Sequence, residues 1–219
     1  MEGLARSSYF DSYVVTVRDQ GLSTVLSRMS HFVVEPEVKP AGITIVCISD
    51  THSKHRSLKI PEGDVLIHAG DFSDTGKKPD IQEFVNWFGS QPHPQKVFIG
   101  GNHDITLHTD YYVKRGAVRF HARLLKQIDT TQYSLECRKI VLENTNTTYL
   151  EDTECVLGTP TVPLGPYPPI KCYGSPWSPE FCDWGFNAQR GEELKKKWEM
   201  IPQEVDVLIT HGPPYGYGM

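Results

Sequence analysis

Ile43-Thr-Ile-Val-Cys-Ile-Ser-Asp-Thr-His52 opens a stretch that runs on through Val65-Leu-Ile-His-Ala-Gly-Asp71 to Val97-Phe-Ile-Gly-Gly-Asn-His-Asp104. Each part is an apolar run of strand length, Ile43 to Ser49, Val65 to Ala69 and Val97 to Gly100, closed by a polar cluster. Runs rich in Val and Ile and bounded by Gly and Asp read as buried strands. A near-continuous apolar strand has both faces covered, which makes Cys47 a core residue. In open α/β sheets ligands bind just beyond the carboxyl ends of the strands, so the polar clusters are predicted to converge on one crevice.

A fourth run, Asp206 to Thr210, ends in His211-Gly212-Pro213-Pro214. Two aspartates, one asparagine and up to three imidazoles at strand tips form an oxygen-and-nitrogen set suited to borderline metals such as Mn²⁺, Fe or Zn²⁺. With Asp71 shared between two ions, the set would make a two-metal hydrolytic site.

The ordered series Asp50-x-His52, Gly70-Asp71, Gly101-Asn102-His103-Asp104 and His211-Gly212 resembles the calcineurin-like metallophosphoesterases. Asp-x-His alone turns up by chance, whereas Gly-Asn-His-Asp after a strand, in order with the other motifs, is specific. The segment from Tyr173 to Asn187 and the phrase Leu208-Ile-Thr-His-Gly-Pro-Pro214 look more narrowly like the metallophosphoesterase-domain-containing proteins of animals, a branch similar to cyclic-nucleotide phosphodiesterases.

The resemblance implies an α/β fold, an αββα sandwich of two mixed sheets flanked by helices, over residues 43–219; residues 1–42, with scattered apolar positions, read as an N-terminal arm. It also implies a metal-dependent phosphodiesterase or phosphatase acting on cyclic or linear nucleotides, with two divalent ions, Mn²⁺ foremost, holding a hydroxide nucleophile. Asp50 and His52 would hold the first ion, Asp71 would bridge, and Asn102 and His211 would hold the second. His103 matches the family's general acid or phosphate contact, with Asp104 setting its tautomer and raising its pKa. The family pattern continues into a further strand and a Gly-His-x-His motif, and the sequence ends at Met219 before one, so the sandwich is expected to be C-terminally incomplete. The alternative from another class is a catalytically weak or inactive nucleotide- or phosphate-binding regulator.

At 219 residues the chain is long enough for one substantial core. Its net charge of −5 and the absence of any Lys/Arg cluster beyond Lys195-Lys196-Lys197 give no basic footprint for a nucleic-acid polymer. No apolar run reaches the length of a membrane span, and five cysteines without C-x-x-C spacing indicate neither a disulfide framework nor a zinc ribbon. The expectation is a cytoplasmic protein that takes a small phosphoester or nucleotide substrate.

Elsewhere, Val14-Val15 and Val33-Val34 are the strand candidates of the arm. Ile81, Phe84, Val85 and Phe88 keep i, i+3, i+4, i+7 spacing, which predicts a helix over Pro79 to Gly89. Helical spacing also predicts a helix from Asp110 to Ile128, with His108 and His121 as surface or helix-face residues. Arg138 to Leu142 and Thr147 to Leu150 read as paired strands of a second sheet. Five prolines between Pro160 and Pro169 exclude a central strand there. Ile170 to Gly174 resumes a strand, Trp177, Phe181, Trp184 and Phe186 read as packing beneath the site, and Asn187 to Met200 as a helix with Leu194 and Trp198 inward. His68 reads as a buried, hydrogen-bonded histidine.

Overall fold

The computed structural model describes residues 12–17, 27–28, 42–159 and 161–212, the first two segments as backbone only. Ser12–Val17 (β1) and Ser27–Arg28 (β2) form an antiparallel pair, and β1 also lies antiparallel to Ile43–Ile48 (β3). Val14-Val15 thus falls in a strand; Val33-Val34 lies outside the described residues. Val65–Ala69 (β4), Gln95–Ile99 (β5) and Thr148–Leu150 (β6) extend the sheet in parallel, each beside the last, in the order β2-β1-β3-β4-β5-β6. Between β4 and β5 the chain crosses through helix α1, Lys78–Gly89, which completes a βαβ unit.

Alternation assigns the two faces of this sheet. Val46, Ile48, Leu66 and Phe98 point to one side, where they meet Ile81, Phe84, Val85 and Phe88 of α1. All four α1 residues are fully buried, each worth about 1.5–3 kcal/mol of transfer free energy. Ile43, Ile45, Val65, Ile67, Val97, Ile99 and Leu150 point to the other side and pack on a second sheet.

After β5 the chain forms a short helix α2 (Thr109–Tyr111), a π-turn over Tyr112–Gly116 and α3 (Ala117–Phe120). The long helix expected to reach Ile128 therefore stops at Phe120. Helix α4, Thr130–Leu142, follows and corrects the reading of Arg138 to Leu142 as a strand. Asp129 caps it, accepting from the Gln132 amide at 2.8 Å, and Ser134, Cys137 and Val141 on one helical stripe are buried. The β-branched end of the segment is simply its last turn.

The second sheet is built from Thr153–Leu157 (β7), Ile170–Ser175 (β8) and, beyond the short parallel pair β9 (Ser178–Pro179) and β10 (Asn187–Ala188) and helix α5 (Glu192–Trp198), from β11 (Val207–Thr210). Its order is β11-β8-β7, with β11 parallel and β7 antiparallel to β8. Thr147 to Leu150 does not join it; β6 belongs to the first sheet. Leu157, Ile170, Cys172 and Ile209 fill the space between the sheets, so both mixed sheets of the sandwich are present. Between β7 and β8, the residues described in the proline-rich connection contain no strand, only an isolated bridge from Thr159 to Val162. Helix α5 is shorter than the span expected, and Leu194 is its buried residue while Trp198 is half-exposed. Among the described residues no helix is long and apolar enough to cross a membrane.

Candidate metal centre

The polar clusters after β3, β4, β5 and β11 meet at one end of the sandwich. The loops after β3 and β4 stay hydrogen-bonded beyond the strands: Asp50 N–H donates to Gly70 O at 3.0 Å, His52 N–H to Asp71 O at 3.0 Å and Ser53 N–H to Phe72 O at 2.9 Å. Asp50, His52, Ser53 and Asp71 all adopt left-handed backbone, with φ of 54°, 40°, 60° and 56°. Such conformations are costly outside glycine and concentrate where side chains must be aimed. Two glycines leave the space: at Gly70, φ +96°, an added Cβ would stand 2.6 Å from His211 Nδ1, and at Gly101 it would overlap the Asp71 carboxylate.

Asp71 is the centre of the arrangement. A carboxylate oxygen of Asp71 lies within 4.8 Å of a carboxylate oxygen of Asp50 and a ring nitrogen of His211 in one set, and of ring nitrogens of His52 and His103 in another. Nearly buried, it accepts the His103 amide at 2.8 Å on Oδ1, while Oδ2 faces His52 Nε2 at 3.8 Å. Burial pushes the Asp71 carboxyl up, but His211 and His103 outweigh it and hold the group below its usual range.

His211 has a defined tautomer. Its Nδ1–H donates to the Ala69 carbonyl at 2.9 Å, so Nε2 points at Asn102 Oδ1, 3.0 Å away, and Asp71 Oδ1, 3.4 Å away. Burial lowers its pKa, yet Asp71 and Asp50 push it up to about 9. A nitrogen lone pair and three oxygen-bearing side chains facing one point need a cation between them, either a proton on Nε2 or a metal. The donor set therefore fits a divalent ion: Asp50, Asp71, Asn102 and His211 at one position, His52 and Asp71 with His103 beside them at the other. Asp50 thus groups with His211, whereas the sequence reading paired it with His52.

Asp104 lies elsewhere than expected. It is fully buried and takes the Ser73 N–H and O–H at 2.9 and 2.6 Å, the Gly101 N–H at 2.8 Å and the Phe72 N–H at 3.4 Å. Burial and the Asp71 charge push its carboxyl up, to about 7, against the pull of these donors. The carboxylate staples the loop after β4 to the loop after β5. The partner of His103 is instead the backbone carbonyl of Asp74, which accepts from Nδ1–H at 2.8 Å. This corrects the role given to Asp104, and a backbone carbonyl leaves no trace in a motif.

His68 is fully buried with Nε2 3.0 Å from Thr51 Oγ1, as expected. His121 is not a surface residue, and His108 is half-buried. His121 is buried against the Tyr112 hydroxyl at 2.9 Å, and His108 Nδ1 accepts the Phe186 amide at 2.9 Å. Of the four aromatics near the site, Phe186 and Trp177 pack on the main core. Phe181 is exposed, and Trp184 lies flat on the His103 ring, centroids 3.8 Å apart.

Two mixed sheets whose strand tips present two donor triads on one shared aspartate define a known class, and the chain belongs to it: residues 43–219 match the calcineurin-like phosphoesterase family, a family of metal-dependent hydrolases of phosphoric esters. More narrowly, the chain is 41% identical to metallophosphoesterase domain-containing protein 1 of Homo sapiens over 188 residues, 82% of this chain and 51% of that protein. The Mus musculus protein of the same name gives the same figures. A UPF0046 protein of Caenorhabditis elegans is 35% identical over 185 residues, 83% of this chain and 44% of that protein. The chain spans about half the length of these relatives.

Proposed function

We propose that this chain is a two-metal phosphodiesterase acting on cyclic or linear nucleotides, with Mn²⁺ as the preferred ion, in a reducing, cytoplasmic setting. The observation that carries the reading is the presence of Asp71 in both donor triads, because one carboxylate between two cations is what a paired centre requires. Divalent ions bound there supply a water of lowered pKa and neutralise phosphoryl charge.

The chain's own residues do the rest. Asp50, Asp71, Asn102, His211 and His52 would hold the cations, and the Ala69 carbonyl accepts from His211 Nδ1–H and so turns Nε2 to the centre. As water bonds to phosphorus it gives up one proton to solvent, and as the ester P–O bond breaks the leaving oxygen takes one up. His103, with Nδ1–H committed to Asp74, offers Nε2 as its donor in the protonated form. Asp104 serves by holding the two loops that carry Asp71 and His103 in register.

The test is a Mn²⁺ titration with hydrolysis of a cyclic nucleotide and of bis-p-nitrophenyl phosphate followed together with nucleotide binding. The proposal requires turnover that rises with Mn²⁺ and stops with chelator. Nucleotide retained at comparable affinity with no hydrolysis would establish the binding-regulator alternative instead.

A further inference from the structure

Beyond the residues already assigned, Trp184 makes the closest aromatic contact with the centre. Its indole and the His103 imidazole are 3.8 Å apart between centroids and 21° from parallel, and Phe120 stacks on the same indole at 4.4 Å and 25°. The neighbours of Trp184 in sequence, Gly185 and Phe186, go into the core, while Trp184 stays half-exposed and turns to His103. The loop that presents it is anchored on several sides. Cys182 and Asp183 sit at φ of 55° and 52°. Tyr111 O–H donates to the Asp183 carbonyl at 2.6 Å, Arg115 pairs with its carboxylate at 2.9 Å, and Arg119 donates to the Cys182 carbonyl at 2.8 Å. Arg119 also lies over both rings of the stack, 4.9 Å from Phe120 and 5.7 Å from Trp184.

We infer that Trp184 is the positioning residue for His103: it fixes the tilt of an imidazole whose in-plane direction is fixed by Asp74. A single bond from Nδ1–H to the Asp74 carbonyl tolerates a range of angles at the carbonyl, so it fixes the direction of Nδ1 more tightly than the tilt of the ring. A parallel aromatic face removes that freedom, since offset stacking favours a narrow range of interplanar angles. His52 closes the remaining side, edge-on at 4.6 Å and 78°. With all three contacts made, Nε2 points one way. The stack also fills the indole's parallel contacts from within the protein, so Trp184 is assigned to His103 and not to a nucleobase.

The inference rests on the proposed role of His103 in turnover, and two measurements keep the two apart. In the metal-free protein, the ring-current shift of the His103 ring protons, read by NMR, should be lost in Trp184→Ala and kept in Trp184→Phe. In the Mn²⁺-loaded protein, Trp184→Ala should lower kcat on an alkyl phosphodiester by about ten- to a hundredfold, the cost of a misplaced group, with KM unmoved. Trp184→Phe should restore most of that rate, and Trp184→Ala should cost nothing further in a His103→Ala background. Unchanged His103 resonances, or losses that add fully in the double variant, would overturn the inference. If His103→Ala alone keeps full activity, the acid role falls, and the positioning claim is then decided by the NMR shift.

Discussion

The amide of His103 donates to Asp71 Oδ1 at 2.8 Å. One carboxylate oxygen is thereby locked to the Gly-Asn-His-Asp loop while the other faces His52, so the loop that carries His103 also fixes the direction of the Asp71 carboxylate. Asp71→Asn should therefore abolish metal-dependent hydrolysis more completely than His52→Ala, because the carboxylate serves both donor sets and the imidazole one. Hydrolysis of bis-p-nitrophenyl phosphate by both variants decides it, and near-full activity in Asp71→Asn would remove the shared-ligand assignment.

His103→Ala should reduce turnover by about 10²- to 10⁴-fold for alkyl leaving groups, with metal content unchanged. The loss should shrink for p-nitrophenolate, which departs without a proton. Equal losses for the two leaving groups would point to phosphate binding in place of proton donation.

Asp104→Ala should act on stability. It strips four donors, three of them backbone amides, of their buried acceptor, at a cost of about 3 kcal/mol or more. Urea unfolding of the metal-free protein reads this directly. A variant with unchanged midpoint and lost activity would restore a catalytic role for the residue.

The motif spacing made the meeting of the polar clusters legible, because each follows a buried strand: β3, β4 and β5 lie side by side in parallel register, and β11 brings His211 from the facing sheet. β3, β4, β5 and β11 stand where their Val and Ile runs indicated, and α1 follows its apolar stripe. Three features were not readable for definite physical reasons. Arg138 to Leu142 carries β-branched residues at a helix end whose only signal was the Asp129 cap nine residues upstream. The partner of His103 is a carbonyl of Asp74, which any residue could supply. Trp184 belongs to an aromatic cluster in which composition does not say which ring faces the core and which faces a histidine.

Stability should fall as the metal-free protein is acidified below about pH 6.5. Burial pushes His68 down to about 3, and His108 and His121 down to about 4. These groups are neutral in the fold and protonate on unfolding, so their contribution is complete above the unfolded pKa and is lost as pH falls towards the folded one. Asp104, raised to about 7, opposes with one proton over the same window. His211, raised to about 9, acts between the two values, from 6.5 upward, with stability declining as pH rises. His55 and His93, also lowered by burial, add to the histidine side, so below pH 6.5 unfolding should take up protons on balance, and urea midpoints at pH 7 and 5 measure the slope. Equal midpoints would contradict the buried neutral histidines.

Gly101→Ala should displace Asp71, since a Cβ there overlaps the carboxylate oxygen and the Asp71 amide nitrogen. Mn²⁺ affinity should drop by more than about tenfold in a protein whose circular dichroism is unaltered, and calorimetric titration checks it. Wild-type affinity would mean that the loop after β4 moves without cost to the centre.

The measurement that bears most directly on the shared-carboxylate centre is the electron paramagnetic resonance of the Mn²⁺-saturated chain. Two ions about 3.5–4 Å apart on one aspartate should give an exchange-coupled spectrum at a stoichiometry of about two per chain, and Asp71→Asn should abolish the coupling. An isolated six-line Mn²⁺ signal at saturation, or coupling that survives in Asp71→Asn, would contradict it.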